Sequence, residues 1–344
     1  MTPYLRAGII LLYLLPIVAT AQNPTPLIIE AALDLKIFTP LLEAFEQAHP
    51  DIALTYYDRS TLEVNQRAQN TDPAPDVVIS SAMPWQMALV NQGLAQPLGS
   101  DAARNWPAWA KWRNEVFGFT FEPIVTVYRL ELARHMMPPT THADVHKLLS
   151  THQDLLRGRV TTYSPTGSGI GLMLFQQDAR YSPRFWDLVA AMGAADMSLE
   201  NNTQAMLDGL TDGPYWLGYN LLGSYALQWA RSHPELIVQI PQDYALVMMR
   251  MAFVHRNAPH AEAAKTFMNF LLGAEGQRVL AGDTPLFSVL PEVTGPYTAQ
   301  RLRDQIGERL YPIPINASLL AFDDPLRRRL FMQRWAREIE ILKP

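Results

Sequence analysis

Within the first ninety residues, apolar runs of strand length alternate with runs of helical period, and that alternation sets the class of fold. Residues 27–32 form a short apolar run that reads as a buried strand. Ile37, Leu41 and Phe45 then recur at i, i+4 and i+8, with Pro40 read as a first-turn residue and His49-Pro50 closing the helix. Residues 52–57 alternate and are rich in β-formers, and residues 76–79 make a second buried strand. Residues 84–91 read as a helix with Pro84 at its start and Gly93 past its end. Parallel neighbours need a connection long enough to hold a helix, so this order implies a parallel sheet. The fold class is α/β.

Two longer stretches break the alternation. Residues 117–128 are β-branched and aromatic but carry Pro123 in mid-run, which a central strand does not accommodate, so they read as a strand leaving one domain for another. Residues 245–255 are the matching second crossing. Between them the βα order continues. Thr141 and Asp144 resemble a capping box ahead of the stripe Val145, Leu148, Leu149. A strand at 160–163, a loop at 164–171, a helix from 172 and a strand at 216–220 follow. Helices at 260–272 and 275–281 bring the chain back. The expected division is a leader at 1–21, lobe one at 22–121 with 252–344, and lobe two at 122–251.

The leader rests on Arg6, the apolar run 7–18 and the small residues Ala19 and Ala21 before Gln22. The run is short for a membrane span, so cleavage after Ala21 and export to a bacterial periplasm are expected. The chain has no cysteine, so its fold cannot rest on disulfides and no lipid can be attached near the cleavage point. About 320 residues remain, enough for two domains with real cores. The 27 basic and 33 acidic residues left give a net charge that argues against nucleic acid as a partner. The basic run Arg327-Arg328-Arg329 follows Asp323, Asp324 and Pro325, and reads as a solvated helix face with Leu330, Phe331 and Trp335 turned inward.

Three passages carry a family likeness. Asp76-Val77-Val78-Ile79 with the later Gly93-Leu94-Ala95-Gln96-Pro97-Leu98 is one. Arg157-Gly158-Arg159-Val160 leading to Ser164-Pro165-Thr166-Gly167-Ser168-Gly169 is the second, and the run from His255 through Ala258-Pro259-His260 to Ala264 is the third. In order and spacing they resemble the extracellular solute-binding proteins of ABC transporters. The likeness is to the type II branch that holds ferric-ion binders, sugar-phosphate binders and the phosphoglycerate transport regulatory protein; Asp58-Arg59-Ser60-Thr61-Leu62-Glu63 resembles the arginine-containing loop of the last. The resemblance implies two α/β lobes joined by two crossing hinge strands, a monomer that closes over its ligand, and delivery rather than chemistry. The implied partner is an inner-membrane ABC permease or the ectodomain of a sensor kinase.

In open α/β sheets ligands sit beyond the carboxyl ends of the strands, and that rule selects the loops independently of any family. In lobe one it picks Asp34, Arg59, Ser60, Thr61, Ser80 and Ser81; in lobe two, Ser164, Thr166, Gly167, Ser168, Asn220, Ser224, Tyr225 and Tyr244. The hydroxyl-rich, glycine-containing loops let backbone N–H groups reach an anion. Arg59 offers a two-point fork for a carboxylate or phosphate. The expected ligand is therefore a small anionic organic solute, phosphorylated or carboxylated. Asp34 reads equally as a helix cap, and the tyrosines equally as core. Other chemistries fit the residues less well. The stretch Gly223-Ser224-Tyr225-Ala226 lacks the adjacent tyrosines of ferric binders, and Tyr56-Tyr57 lie on opposite faces of one strand. His142 and His146 share a helix face, but Ala143 stands where a zinc protease has glutamate. With no nucleophile elbow, dinucleotide fingerprint or P-loop, the sequence calls for no cofactor, no metal and no catalytic residue, and an exported hydrolase is the weaker reading.

Overall fold

The computed structural model describes residues 23–341; the expected leader and its cleavage point lie outside them. Among the described residues, six strands form one sheet and seven another. The first sheet is built from Thr25–Ala31, flanked in parallel by Ile52–Asp58 and Val77–Ser80, then Met251–Val254, Val116–Gly118 and Lys111–Trp112. Helix Leu35–Ala48 makes the first crossover and buries Ile37, Phe38, Leu41, Leu42 and Phe45. It begins a turn earlier than the proline suggested. Pro40 therefore lies in the second turn, and its missing N–H leaves the carbonyl of Lys36, an exposed residue, for water to take.

The second sheet runs Leu310–Pro312, Ala245–Met248, Glu122–Arg129, Leu217–Leu222, Val160–Tyr163, Ser198–Glu200, with Leu236–Gln239 also on Glu122–Arg129. Both long apolar stretches divide between the sheets. The first changes sheet at residues 119–121 and the second at 249–250, which makes them the two hinge crossings. Their backbones are tied there, Phe119 N–H donating to Arg250 O at 3.0 Å and Arg250 N–H to Thr120 Oγ1 at 2.8 Å. The capping box at Thr141 and Asp144 is present at the head of His142–Thr151.

The carboxyl end corrects the expected boundary at one point. Residues 252–344 do not all return to lobe one. Leu310–Pro312 pairs in parallel with Ala245–Met248, and residues 317–322 then pack on helix Met83–Asn91 of lobe one. Helix Pro325–Glu340 crosses back onto helix Phe185–Ala194 of lobe two, setting Trp335 4.4 Å from Phe175 and Phe331 4.9 Å from Trp186. Aromatic burial against lobe two outweighs sequence proximity to lobe one. Asp324 caps that helix as its Asp-Pro start implies, but Leu330 is exposed, because Phe331 and Trp335 already fill the inward face.

Candidate functional site

The two sheets point the carboxyl ends of their parallel strands at one cleft of about 500 Å³. Its lobe-one wall carries Asp34, Asp58, Arg59, Ser60, Thr61 and Ser81; its lobe-two wall carries Tyr163, Gly167, Ser168, the run from Asn201 to Gln204, and Tyr225. Arg250, between the lobes, forms the floor. The walls touch directly. Tyr225 Oη accepts the Asp34 N–H across the gap at 3.0 Å, and burial pushes its hydroxyl pKa up, so it stays a neutral phenol. Gly169 meets Thr61 and Ala82 so closely that an added Cβ would stand 2.7 Å from Thr61 Oγ1 and 2.8 Å from Ala82 Cβ. The lobes are closed on each other, and only glycine fits at that contact.

The floor is electrostatic. Arg250 is 1% exposed, donates to Ala32 O at 2.7 Å and sits 5.0 Å from the Tyr225 ring. Its Nε lies 2.9 Å from Glu122 Oε1 without a hydrogen-bonding direction, so the contact is an ion pair. Burial pushes the guanidinium pKa down, but the Glu122 carboxylate and the Tyr225 and Tyr56 hydroxyls more than offset this, and the cation is held above its ordinary value. Thr120 Oγ1 at 2.8 Å and Ser224 Oγ both donate to Glu122. A buried pair with its remaining lone pairs filled is the arrangement under which two charges survive away from water.

Arg59 is partly committed elsewhere. Its Nε donates to Glu30 Oε2 at 2.8 Å, and Arg67 Nε donates to the other oxygen at 2.6 Å. Ser60 caps helix Thr61–Asn70 in a reciprocal box with Glu63. Ser168 Oγ accepts from Gly171 N–H at 3.3 Å at the head of Gly171–Tyr181. Asn202 accepts from Ala205 N–H at 2.8 Å and opens Thr203–Thr211, while Tyr163 and Thr203 hydroxyls meet at 2.5 Å. Helices of both lobes thus begin at the cleft.

The structure brings Asp34, Arg59, Ser60, Thr61, Ser81, Gly167, Ser168 and Tyr225 together on the cleft. Six expected residues lie elsewhere. Ser80 ends a strand, buried, with its hydroxyl accepting from Ala82 N–H. Ser164 braces its own loop by accepting from Gly167 N–H at 2.9 Å, and Thr166 lines a separate lobe seam beside Trp85 and Phe322. Ser224 is spent on Glu122. Asn220 is inside strand Leu217–Leu222 with φ +64°, and its amide donates to Asp178 at 2.6 Å; Tyr244 donates to the same carboxylate at 2.9 Å. Asp178 is fully buried in lobe two and gathers the polar ends of residues that read as loop chemistry.

Arg250, Asp58 and the run 201–204 were not foreseen. Arg250 had a signal, a lone cation within the apolar run 245–255, matched by the lone carboxylate Glu122 within 117–128. Residues 201–204 follow a strand of three residues, Ser198–Glu200, too short and polar to register as one.

The comparisons agree with this geometry. The model of the bacterial extracellular solute-binding protein family matches residues 41–301. The chain belongs to that family. The substrate-binding protein of an ABC transporter from Agrobacterium tumefaciens is 35% identical, with 92% of this chain and 95% of that one covered at a TM-score of 0.87. Among more distant solute-binding proteins, AfuA from Actinobacillus pleuropneumoniae, solved with exogenous fructose-6-phosphate, is 14% identical at a TM-score of 0.70, covering 92% and 99%. Apo ferric ion-binding protein A of Pasteurella haemolytica is 16% identical at 0.68, covering 91% and 98%. These last two share the fold. Comparison with curated proteins gives no match. The chain is a solute-binding protein of the ABC-transporter type, mixed α/β with two sheets in two lobes.

Proposed function

We propose that this protein captures a small organic solute bearing an anionic group, phosphorylated or carboxylated, in the periplasm after cleavage of its leader, and presents it to an ABC permease. One observation carries the reading: helix starts of both lobes converge on a cleft whose floor is a buried guanidinium. Contacts from both walls favour the closed state by their differential affinity, and the closed form is what a membrane partner can distinguish. AfuA, solved with fructose-6-phosphate, shares the fold and supports an anionic solute by analogy.

Ferric ion is the competing occupant, since Tyr163, Tyr225, Asp34 and Asp58 line the same cleft. Both phenol oxygens already hold hydrogen bonds within the protein, to Thr203 and to Asp34 N–H, which metal binding would break. A thermal-shift panel of sugar phosphates, phosphonates, di- and tricarboxylates and ferric ion tests the reading. A ligand at about a hundred times its Kd adds about 2.7 kcal/mol of stability, a visible rise in melting temperature. A rise with phosphorylated or carboxylated compounds is expected, and a rise with ferric ion alone would replace the anionic solute.

A further inference from the structure

The charges on the cleft are asymmetric in a way that a purely anionic solute does not explain. Each guanidinium facing it has a buried carboxylate behind it, Glu122 for Arg250 and Glu30 for Arg59. Asp34 and Asp58 face the same cavity, and among the described residues neither has a cationic nitrogen within 4.0 Å. The start of helix Leu35–Ala48 fixes them together: Lys36 N–H donates to Asp34 Oδ1 at 2.8 Å and Leu35 N–H to Asp58 Oδ2 at 3.0 Å. These bonds leave Asp34 Oδ2 and Asp58 Oδ1 outside them. Capping needs one such side chain, and here two acids converge. Burial, and then the neighbouring Asp34, raise the Asp58 carboxyl pKa against the pull of Leu35 N–H and Arg250, as befits two carboxylates short of a cation.

This helix start therefore cannot receive the anion, because its Leu35 and Lys36 N–H groups are already spent on carboxylates and those of Ile37 and Phe38 on the Asp34 carbonyl. The opposite wall can. Gly167, Ser168, Asn201, Asn202, Thr203 and Gln204 carry no charge, and although the Gly167, Gly171 and Ala205 N–H groups are held by Ser164, Ser168 and Asn202, the side-chain amides of Asn201 and Asn202 bring neutral donors. The floor adds the positive charge of the buried Arg250, whose Nε is set against Glu122 at 2.9 Å.

Building on the capture of an anionic solute in this cleft, we propose that the solute is dipolar: a protonated amine seated on Asp34 and Asp58 of lobe one, and an anionic group on the loops of lobe two. Closure then joins two half-sites of opposite character, and a solute lacking either group fails to span the lobes.

Matched pairs that differ by one amine test this: 2-aminoethylphosphonate against 2-hydroxyethylphosphonate, glucosamine 6-phosphate against glucose 6-phosphate, and alanine against lactate, each titrated by calorimetry into the mature protein. Within a pair that binds, the amine should bind about tenfold or more tightly, the worth of a charge-assisted contact. Asp34→Asn and Asp58→Asn should erase that preference. Asparagine caps a helix as well as aspartate, so an unchanged melting temperature without solute will show the variants folded. Equal or tighter binding of the hydroxyl partners would overturn the dipolar solute and leave the anionic one standing. Binding of ethanolamine alone, or of no pair at all, would overturn both.

Discussion

Glu122 and Asp178 are both fully buried carboxylates, and the protein treats them in opposite ways. Glu122, on a hinge crossing, faces a guanidinium and takes two hydroxyl donors. Asp178, inside lobe two, accepts from Tyr219, Asn220 and Tyr244 at 2.6–2.9 Å, with His142 Nε2 4.0 Å away. Burial raises the Asp178 pKa, opposed by His142 and the three donors. One site keeps a cation beneath the cleft; the other only ties a strand, a helix and a loop together. A buried charge retained at a cleft floor can meet a solute. A carboxylate wrapped in neutral donors fixes packing.

The largest test breaks the first half of that contrast. Arg250→Ala or Glu122→Ala alone should cost about 3–5 kcal/mol in urea unfolding, because each leaves the other charge buried and unpaired. Replacing both by methionine should recover most of that stability while abolishing solute binding. A double variant as unstable as the singles would show that the pair is not the source of the loss.

Asp178→Asn tests the second half. The new NH₂ replaces one oxygen and meets either the Tyr244 hydroxyl or the Tyr219 and Asn220 donors, so about 1–3 kcal/mol should be lost with solute affinity unchanged. The effect should depend on pH. A carboxyl whose folded pKa is raised contributes stability that is complete below its ordinary 3.8 and is lost as pH rises through the folded value. The wild-type advantage should therefore shrink on going upward from pH 3.8; an advantage that grows would mean that the carboxylate is the favoured form.

The smallest effect sharpens the link between floor and function, which requires that the lobes close. Gly169→Ala should weaken solute binding about tenfold, the cost of overpacking felt by the closed state. Its unfolding curve without solute should match the wild type, and a matching loss of stability would make Gly169 a turn residue only.

What could be read in advance followed from local physics. Hydrophobic period, caps and proline positions gave strand 160–163, the capping box at Thr141 and both crossings, since those signals act within a few residues. The same local reading misjudged Asn220, Ser224 and Tyr244. Asn220 and Ser224 lie toward the carboxyl end of strand Leu217–Leu222 as the ligand rule asks, Tyr244 stands just ahead of Ala245–Met248, and each is polar, but which side of the sheet such a side chain faces depends on partners as distant as Asp178 and Glu122. The start of a helix at Leu35 was similarly hidden behind Pro40, because burial of Phe38 and Leu41 outweighs one missing hydrogen bond.

The sequence by itself determined the alternation that makes two α/β lobes, the two crossings between them, and the loops from which a cleft could be built, because periodicity and turn chemistry are written in neighbouring residues. Only the tertiary structure decided that Arg250 and Glu122, 128 residues apart, would meet on the floor. It also decided that the last helix would pack on lobe two, and that Asp34 and Asp58 would share one helix start. Those outcomes are set by pairing buried charge and covering apolar surface, and both conditions are met between segments that only the finished fold brings together.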